Sequence, residues 1–519
     1  MSSVYVPEDL SARALFITVL SILGLFYVAT KIIGRVIFSP LRHIPGPRST
    51  RFTGAAVWFA TIQRRRVYKL QELHAKFGPV VRIGPNEVSV SDWRHLRSIY
   101  ANNKGVIKQA SFYEAATFVG KNNIFEMINV RQHAARRKLS SSPYSLQSVT
   151  LLDSLIREKA RRLAKRLAAG ASLSVDGSVD VFKLCALFSF EVVCQAGFAK
   201  NFPDEPGDDE AFPLLEAMDG SVLTLIFDSA LPLISRLGIG RNLPGAAGDA
   251  YRKRDHWREM SYKMVDHFLK NCTSDEKYLL TPLATGVDDF LGRKLSHEEL
   301  VEEAMGYMFA GSGTTSSTLT YLLYEISKTE NSGIQERLRS ETTSMPGDIV
   351  VIKNNQYLNA VIKETFRCHP TIISTLPRAL LEPLVLDKYT LPPGTVVGMQ
   401  NWLHHRDPSV FPDPDRFIPD RWLNETPEMK SALTPFSIGK RSCIGQNLAW
   451  QELYWAVSEI MRSGFEFRLG KDMGSWGDGD GGSIRHVSSR TQTNTDSIAC
   501  QLVQPEFGSV NGRILKSCL

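Results

Sequence analysis

Near the C-terminus, Phe436-Ser437-Ile438-Gly439-Lys440-Arg441-Ser442-Cys443-Ile444-Gly445 runs straight into an apolar-periodic stretch, and this junction constrains the chain more than any other segment. Ile444, Leu448, Ala449, Leu453, Ala456, Val457 and Ile460 recur at three- and four-residue intervals, which predicts a helix over roughly 444–461 with one face in a core. Cys443 then stands at a helix N-terminus, where partial positive charge and unpaired N–H groups favour a thiolate over a thiol. Gly439 and Gly445 leave the backbone room to approach a flat group, and Arg441 sets a fixed cation two residues before the sulfur. A cysteine before a helix is, by itself, usually a small buried hydrophobe. The glycines and the arginine around it are what point to a ligand.

A second long helical pattern, from Glu299 to about Ser327, contains Ala310-Gly311-Ser312-Gly313-Thr314-Thr315. At helical spacing Gly306, Ala310, Gly313, Thr314 and Ser317 share one face, and all are small. A mid-helix glycine costs about 1 kcal/mol relative to alanine, so three in this short stretch call for either tight helix packing or room for something flat. In Lys363-Glu364-Thr365-Phe366-Arg367, Glu364 and Arg367 are placed for a charge-assisted pair on one helix face.

Together these segments resemble the cytochrome P450 family, whose cysteine loop carries phenylalanine, glycine, arginine, cysteine and glycine at the positions of Phe436, Gly439, Arg441, Cys443 and Gly445. The resemblance implies haem b (iron protoporphyrin IX) ligated by Cys443, with Ala310 and Gly311 on the helix that crosses its other face. Thr314 matches the threonine that hydrogen-bonds dioxygen and helps deliver protons, which makes Thr314 and Cys443 the expected catalytic residues. Gly313 stands where an acid is more usual, so ordered water would have to relay protons there. Glu364, Arg367 and, from Phe417-Ile418-Pro419-Asp420-Arg421-Trp422, Arg421 match the family's structural triad. His133-Ala134-Ala135-Arg136-Arg137 resembles its propionate-binding Trp-x-x-x-Arg, with His133 in place of tryptophan and Arg137 keeping the charge; Arg378 is the second expected propionate partner. Arg131, Arg136 and Lys138 make the same helix basic, which suits an acidic reductase.

Composition is that of a globular protein, 43% hydrophobic and 22% charged, and a formal charge of +7 spread along 519 residues gives no nucleic-acid footprint. Seven cysteines without C-x-x-C spacing argue against a disulfide framework or a zinc site. Ala14 to Thr30 is uncharged, and continued through Ile32 and Ile33 it approaches the ~20 residues that span a bilayer. The expected order is a lumenal tail (1–10), a transmembrane anchor (11–33) and a basic, proline-rich hinge (34–47) ending in His43-Ile44-Pro45-Gly46-Pro47. Lys31, Arg35, Arg42, Arg48 and Arg51 follow the span and only Arg13 precedes it, which leaves the remainder in the cytosol, on a single-pass endoplasmic reticulum protein.

Residues 48–519 are expected to form one haem-thiolate domain, mostly α with small peripheral β-sheets. A hairpin is predicted from Val80–Ile83 and Glu87–Val90 across Gly84-Pro85-Asn86, helices from there to about Glu382, and a second strand region around Leu391–Gly398. From 470 to 496 the chain is rich in Gly, Ser, Asp and Thr and reads as low-complexity, with only 498–503 strand-like.

By family analogy the substrate walls are Phe112 to Met127, Met305 with Phe309, and Ile372 to Leu376, largely apolar and aromatic. The implied activity is monooxygenation of a hydrophobic organic molecule, in the style of fungal secondary metabolism on terpenoid, polyketide or alkaloid skeletons. NADPH would supply electrons through a separate reductase, since no strand-linked G-x-G-x-x-G is present. A haem-thiolate isomerase or dehydratase, a non-catalytic haem-binding membrane protein, and a cofactor-free helical scaffold are the other readings.

Overall fold

A computed structural model describes residues 8–37, 39–63, 65–102, 104–173, 178–202, 211–231, 233–271, 276–373, 375–469 and 499–503. The low-complexity stretch 470–496 lies outside the described residues. The chain divides into two compact units, one of residues 1–107 and 373–404, the other of 108–372 and 405–519.

The first unit carries the larger sheet. Val80–Gly84 and Glu87–Val90 pair antiparallel, Val80 opposite Val90 and Val81 opposite Ser89. Glu87–Val90 continues in parallel onto Val396–Met399, then come Arg378–Leu380 and Val106–Lys108. Strands therefore begin within the stretch expected to be helical up to Glu382, because two short apolar runs are completed as strands by partners far away in sequence. The proline-rich segment is docked rather than free: Arg82 N–H donates to Pro45 O at 2.7 Å and its buried guanidinium to Leu41 O at 3.3 Å. A Cβ at Gly46 would stand 2.4 Å from Arg82 O, so only glycine fits there. Helix Glu8–Ile37 outruns the expected anchor at both ends, and the large apolar side chains between Leu15 and Tyr27 are open, from Val19 at 46% to Leu25 at 70% exposure.

The second unit is mainly helical, with a three-stranded sheet of Ser178–Asp180, Ala499–Val503 and Glu466–Leu469. Helix Val181–Phe198 has the length and apolarity of a membrane span, but its residues are almost all buried, which makes it the central core helix. Against it lies the 30-residue helix His297–Ile326. That helix starts in a capping box: Ser296 Oγ accepts from Glu299 N–H, and Glu299 accepts from Ser296 N–H at 2.6 Å. Helices Asp153–Leu173, Gln356–Cys368 and Gln446–Arg462 complete the surroundings of the cysteine loop.

Candidate haem-thiolate site

The cysteine loop is closed by its own backbone. Cys443 N–H donates to Phe436 O at 2.9 Å and Ser442 N–H to Gly439 O at 3.1 Å, while Gly439 sits at φ +76°, a left-handed turn that glycine adopts without strain. Phe436 packs edge-on against Phe366, which in turn meets Trp450 edge-on, both at 5.3 Å between centroids. The loop is thus pinned to helices Gln356–Cys368 and Gln446–Arg462. The latter begins at Gln446 with Gly445 as its N-cap, so Cys443 lies just outside the helix rather than at its first turn.

Cys443 is reachable by solvent yet closely walled by protein. Desolvation pushes its thiol up, and this outweighs the Gly445 N–H and the Arg137 guanidinium, which both pull it down. The N–H at the helix end and the Arg137 charge both favour the thiolate, in the sense the spacing predicts, and burial opposes them; coordination to a metal ion would deprotonate such a thiol outright. A side chain at Gly445 would stand 3.9 Å from Sγ and 3.9 Å from the Tyr144 ring.

Positive charge collects beside this sulfur. On helix Val130–Ser140, Arg137 Nη1 donates to Ser442 O at 2.6 Å. Arg441 donates to Met127 O at 2.7 Å and Ile128 O at 3.2 Å. His133, buried between them, is held neutral with its pKa driven down to about 3 by desolvation and then by Arg441, Lys108 and Arg137. Lys108 went unnoticed in the sequence because nothing near it in the chain marks it. It is buried, donates to Phe125 O, and lies over the rings of Tyr113 at 4.5 Å and Phe125 at 4.6 Å. Arg378, by contrast, belongs to the first unit, where it is buried over the Tyr100 ring at 5.0 Å and donates to Leu376 O and Pro377 O.

The long helix supplies an open strip. Most of its length is buried, but Ala310 and Gly313 are exposed and Gly306, Thr314 and Ser317 half-buried, the same small-residue face that the spacing brings together. A Cβ at Gly313 would meet nothing within 4 Å. Thr314 Oγ1 donates to Ala310 O at 2.8 Å. Gly311 faces elsewhere: a Cβ there would strike Val193 Cγ2 at 2.5 Å, so its missing side chain serves contact with helix Val181–Phe198. Met305 is also removed from the expected walls, being fully buried in the core cluster, while Phe309 is half-buried. Tyr144 links the long helix to the loop, lying edge-on to the buried Tyr307 at 5.9 Å and against Gly445.

Behind the loop, Glu364 is fully buried and collects five N–H donors. Arg367 reaches both oxygens at 2.8 Å, Ile418 N–H and Trp422 Nε1 also donate at 2.8 Å, and Arg421 Nε at 3.2 Å. The basic-surface expectation for the neighbouring helix is corrected in part. Arg136 points inward to Asp288 at 3.0 Å and to Glu303, all three buried, because the carboxylates of distant segments meet it there. Lys138 stays at the surface, 77% exposed and paired with the exposed Asp289 at 2.8 Å, and Arg131 is exposed beside it.

These residues fit an iron porphyrin: a sulfur ligand, a strip without side-chain bulk, and cations around a neutral histidine whose crowding two carboxylates would relieve. The arrangement is that of a haem-thiolate protein. The cytochrome P450 profile matches residues 44–475, and the chain belongs to that family. Cytochrome P450 monooxygenase tazI of Aspergillus terreus is 31% identical over 451 residues, 85% of this chain and 90% of that one. Monooxygenase aflV of Aspergillus parasiticus is 30% identical over 445 residues, covering 83% and 86% respectively. A solved structure of cyanobacterial CYP120A1 with retinoic acid bound shares the fold at a TM-score of 0.64 and 20% identity, over 77% of this chain and 88% of that one.

Proposed function

We propose that the chain is a membrane-anchored monooxygenase that inserts one oxygen atom of dioxygen into a hydrophobic organic molecule, with electrons passed from NADPH by a separate reductase. The observation that carries this is the meeting, through Tyr144 and Tyr307, of the cysteine loop with the long helix on which the bare strip lies. When bound, haem supplies the redox chemistry of oxygen activation, and an electron-rich thiolate favours O–O cleavage.

The chain's own part is placement. Cys443 offers the sulfur, and Gly439, Gly445 and Phe436 hold its loop in shape. Arg137, Arg441 and Lys108 offer cations to the propionates, and neutral His133 a ring N–H. The Thr314 hydroxyl, donating to Ala310 O, keeps its lone pairs free to accept a proton-bearing partner on the open strip. Gly313 holds no proton, so water in the space above it would carry protons to Thr314.

The exposed rings of Phe112 and Phe125 favour an apolar substrate, and the Aspergillus relatives favour a fungal secondary metabolite. The open apolar side chains of Leu15–Tyr27 suit a single membrane anchor in the endoplasmic reticulum, with the catalytic part in the cytosol. Spectroscopy of the purified full chain is the test. The reduced, carbon-monoxide-treated protein should show the red-displaced band of sulfur ligation, and C443S should abolish it; an unchanged band in C443S refutes the assignment. Product formed without NADPH and reductase would instead favour an isomerase or dehydratase, a reading that the acid-free strip at Gly313 keeps in play.

A further inference from the structure

Between helix Ala110–Tyr113 and helix Val130–Ser140 the chain has neither helix nor strand, yet two side chains organise it. Glu302, fully buried on the long helix, accepts from Phe118 N–H at 2.9 Å, Val119 N–H at 2.7 Å, Lys121 N–H at 3.4 Å and Asn123 Nδ2 at 2.8 Å. Asn123 extends the clamp: Nδ2 also donates to Ala116 O at 2.8 Å, and Oδ1 accepts from Phe125 N–H at 3.1 Å and Glu126 N–H at 3.0 Å. A carboxylate answered by several N–H donors is a strong anchor, and each loop amide it holds would otherwise be a buried donor in need of a partner.

The consequence lies in Phe118. Its backbone is fixed by Glu302 and by Arg258 Nη2, which donates to Phe118 O at 3.2 Å. Its ring sits edge-on to Trp257 at 5.0 Å and tilted on Phe309 at 5.7 Å. Phe309 follows Glu302 by two turns on the same helix face and immediately precedes the exposed Ala310 of the open strip. One helix therefore holds both the backbone and the ring of the loop residue next to the strip.

We propose that Glu302 is a positioning residue that fixes Phe118 against Phe309, making residues 116–126 a rigid wall that sets how large a ligand can lie over Ala310. This rests on the haem-thiolate reading above. The wall selects by ring size and shape, because moving Phe118 changes the space beside Phe309 and leaves the cysteine loop untouched.

The test uses the haem-loaded full chain, titrated with imidazole and with phenylimidazole while the absorption shift is followed, together with hydrogen exchange of the 116–126 amides. In E302Q an amide group replaces an oxygen that accepts loop N–H groups, so the clamp turns partly repulsive. Imidazole affinity and the carbon-monoxide band should hold, phenylimidazole affinity should change about fivefold or more, and exchange at 118–121 should rise at least about tenfold. E302D, which keeps the acid, should recover part of both effects. Unchanged phenylimidazole affinity and exchange overturn the proposal. Should E302Q not retain haem, N123S is read the same way; loss of both azoles together in N123S assigns the clamp a merely structural role and overturns it too. If the unmodified chain shows no imidazole shift, it is the haem reading itself that fails.

Discussion

Replacing Glu364 by alanine should be the most damaging single change behind the cysteine loop. Glu364 and Arg367 are both 0% exposed, and removing the acid leaves a guanidinium buried without its counter-charge, a loss of about 3–5 kcal/mol. Ile418 N–H and Trp422 Nε1 lose their acceptor as well, at roughly 1–3 kcal/mol each if no water replaces it. These contributions share one site and do not add, so a total of about 5 kcal/mol is the working figure, comparable with the lower end of a folded domain's whole stability. Arg421 loses less. It contributes one of five N–H donors to Glu364 and otherwise bonds Pro412 O at 2.7 Å and Asp413 O at 3.4 Å near the surface, which puts R421A at about 1–2 kcal/mol. Urea unfolding followed by tryptophan fluorescence, with the carbon-monoxide band recorded in parallel, ranks the two. A value for E364A below about 1 kcal/mol, or one no larger than that for R421A, refutes the reasoning, since it would mean that Arg367 finds its compensation in the carbonyls of His405, Pro414 and Arg416 alone.

Two glycines separated by Ser312 should respond in opposite directions: G311A overlaps Val193 and should destabilise by about 1–3 kcal/mol, whereas G313A meets open space and should gain about 0.5–1 kcal/mol, both read by thermal unfolding. Equal effects would show that the two faces of the helix are not distinguished in this way. T314A should retain the carbon-monoxide band yet uncouple NADPH consumption from product in a reconstituted assay with reductase; unchanged coupling would remove Thr314 from the proton route. Glu126, buried near Glu302, has its pKa pushed up from 4.5 to about 7, first by desolvation and then by that second carboxylate. Its folded form holds a proton more tightly than the unfolded chain does, so this contribution is present in full below about pH 4.5 and is lost as pH rises through about 7. E126Q should flatten the decline by on the order of 3 kcal/mol between those limits, measured by unfolding at a series of pH values; an identical slope in both proteins would rule Glu126 out as its source.

What the sequence reveals and what it hides follow from the range of the interactions involved. The long helix is legible because its helical pattern from Glu299 and its bare face, Gly306 to Ser317, are written within a few turns of one another; the Ser296 cap that starts it at His297 is what the structure adds. The hairpin at Val80–Val90 is legible for the same reason. The Glu364–Arg367 pair is legible as a spacing, but the same spacing occurs on solvated faces; its burial depends on Ile418, Arg421 and Trp422, more than fifty residues downstream. Arg136 shows the failure most clearly. Next to Arg131, Arg137 and Lys138 it reads as one more surface cation, and only Asp288 and Glu303, brought from 152 and 167 residues away, turn it inward. Lys108 and Glu302 are hidden likewise, since a buried charge is defined by the donors and acceptors that surround it and not by its neighbours in the chain. Long-range charge burial of this kind tolerates no single-partner change without loss, whereas the exposed strip can vary in side-chain size without unfolding the helix. The internal charges therefore hold the scaffold fixed, and the bare face of one helix is left as the place where different ligands can be accommodated.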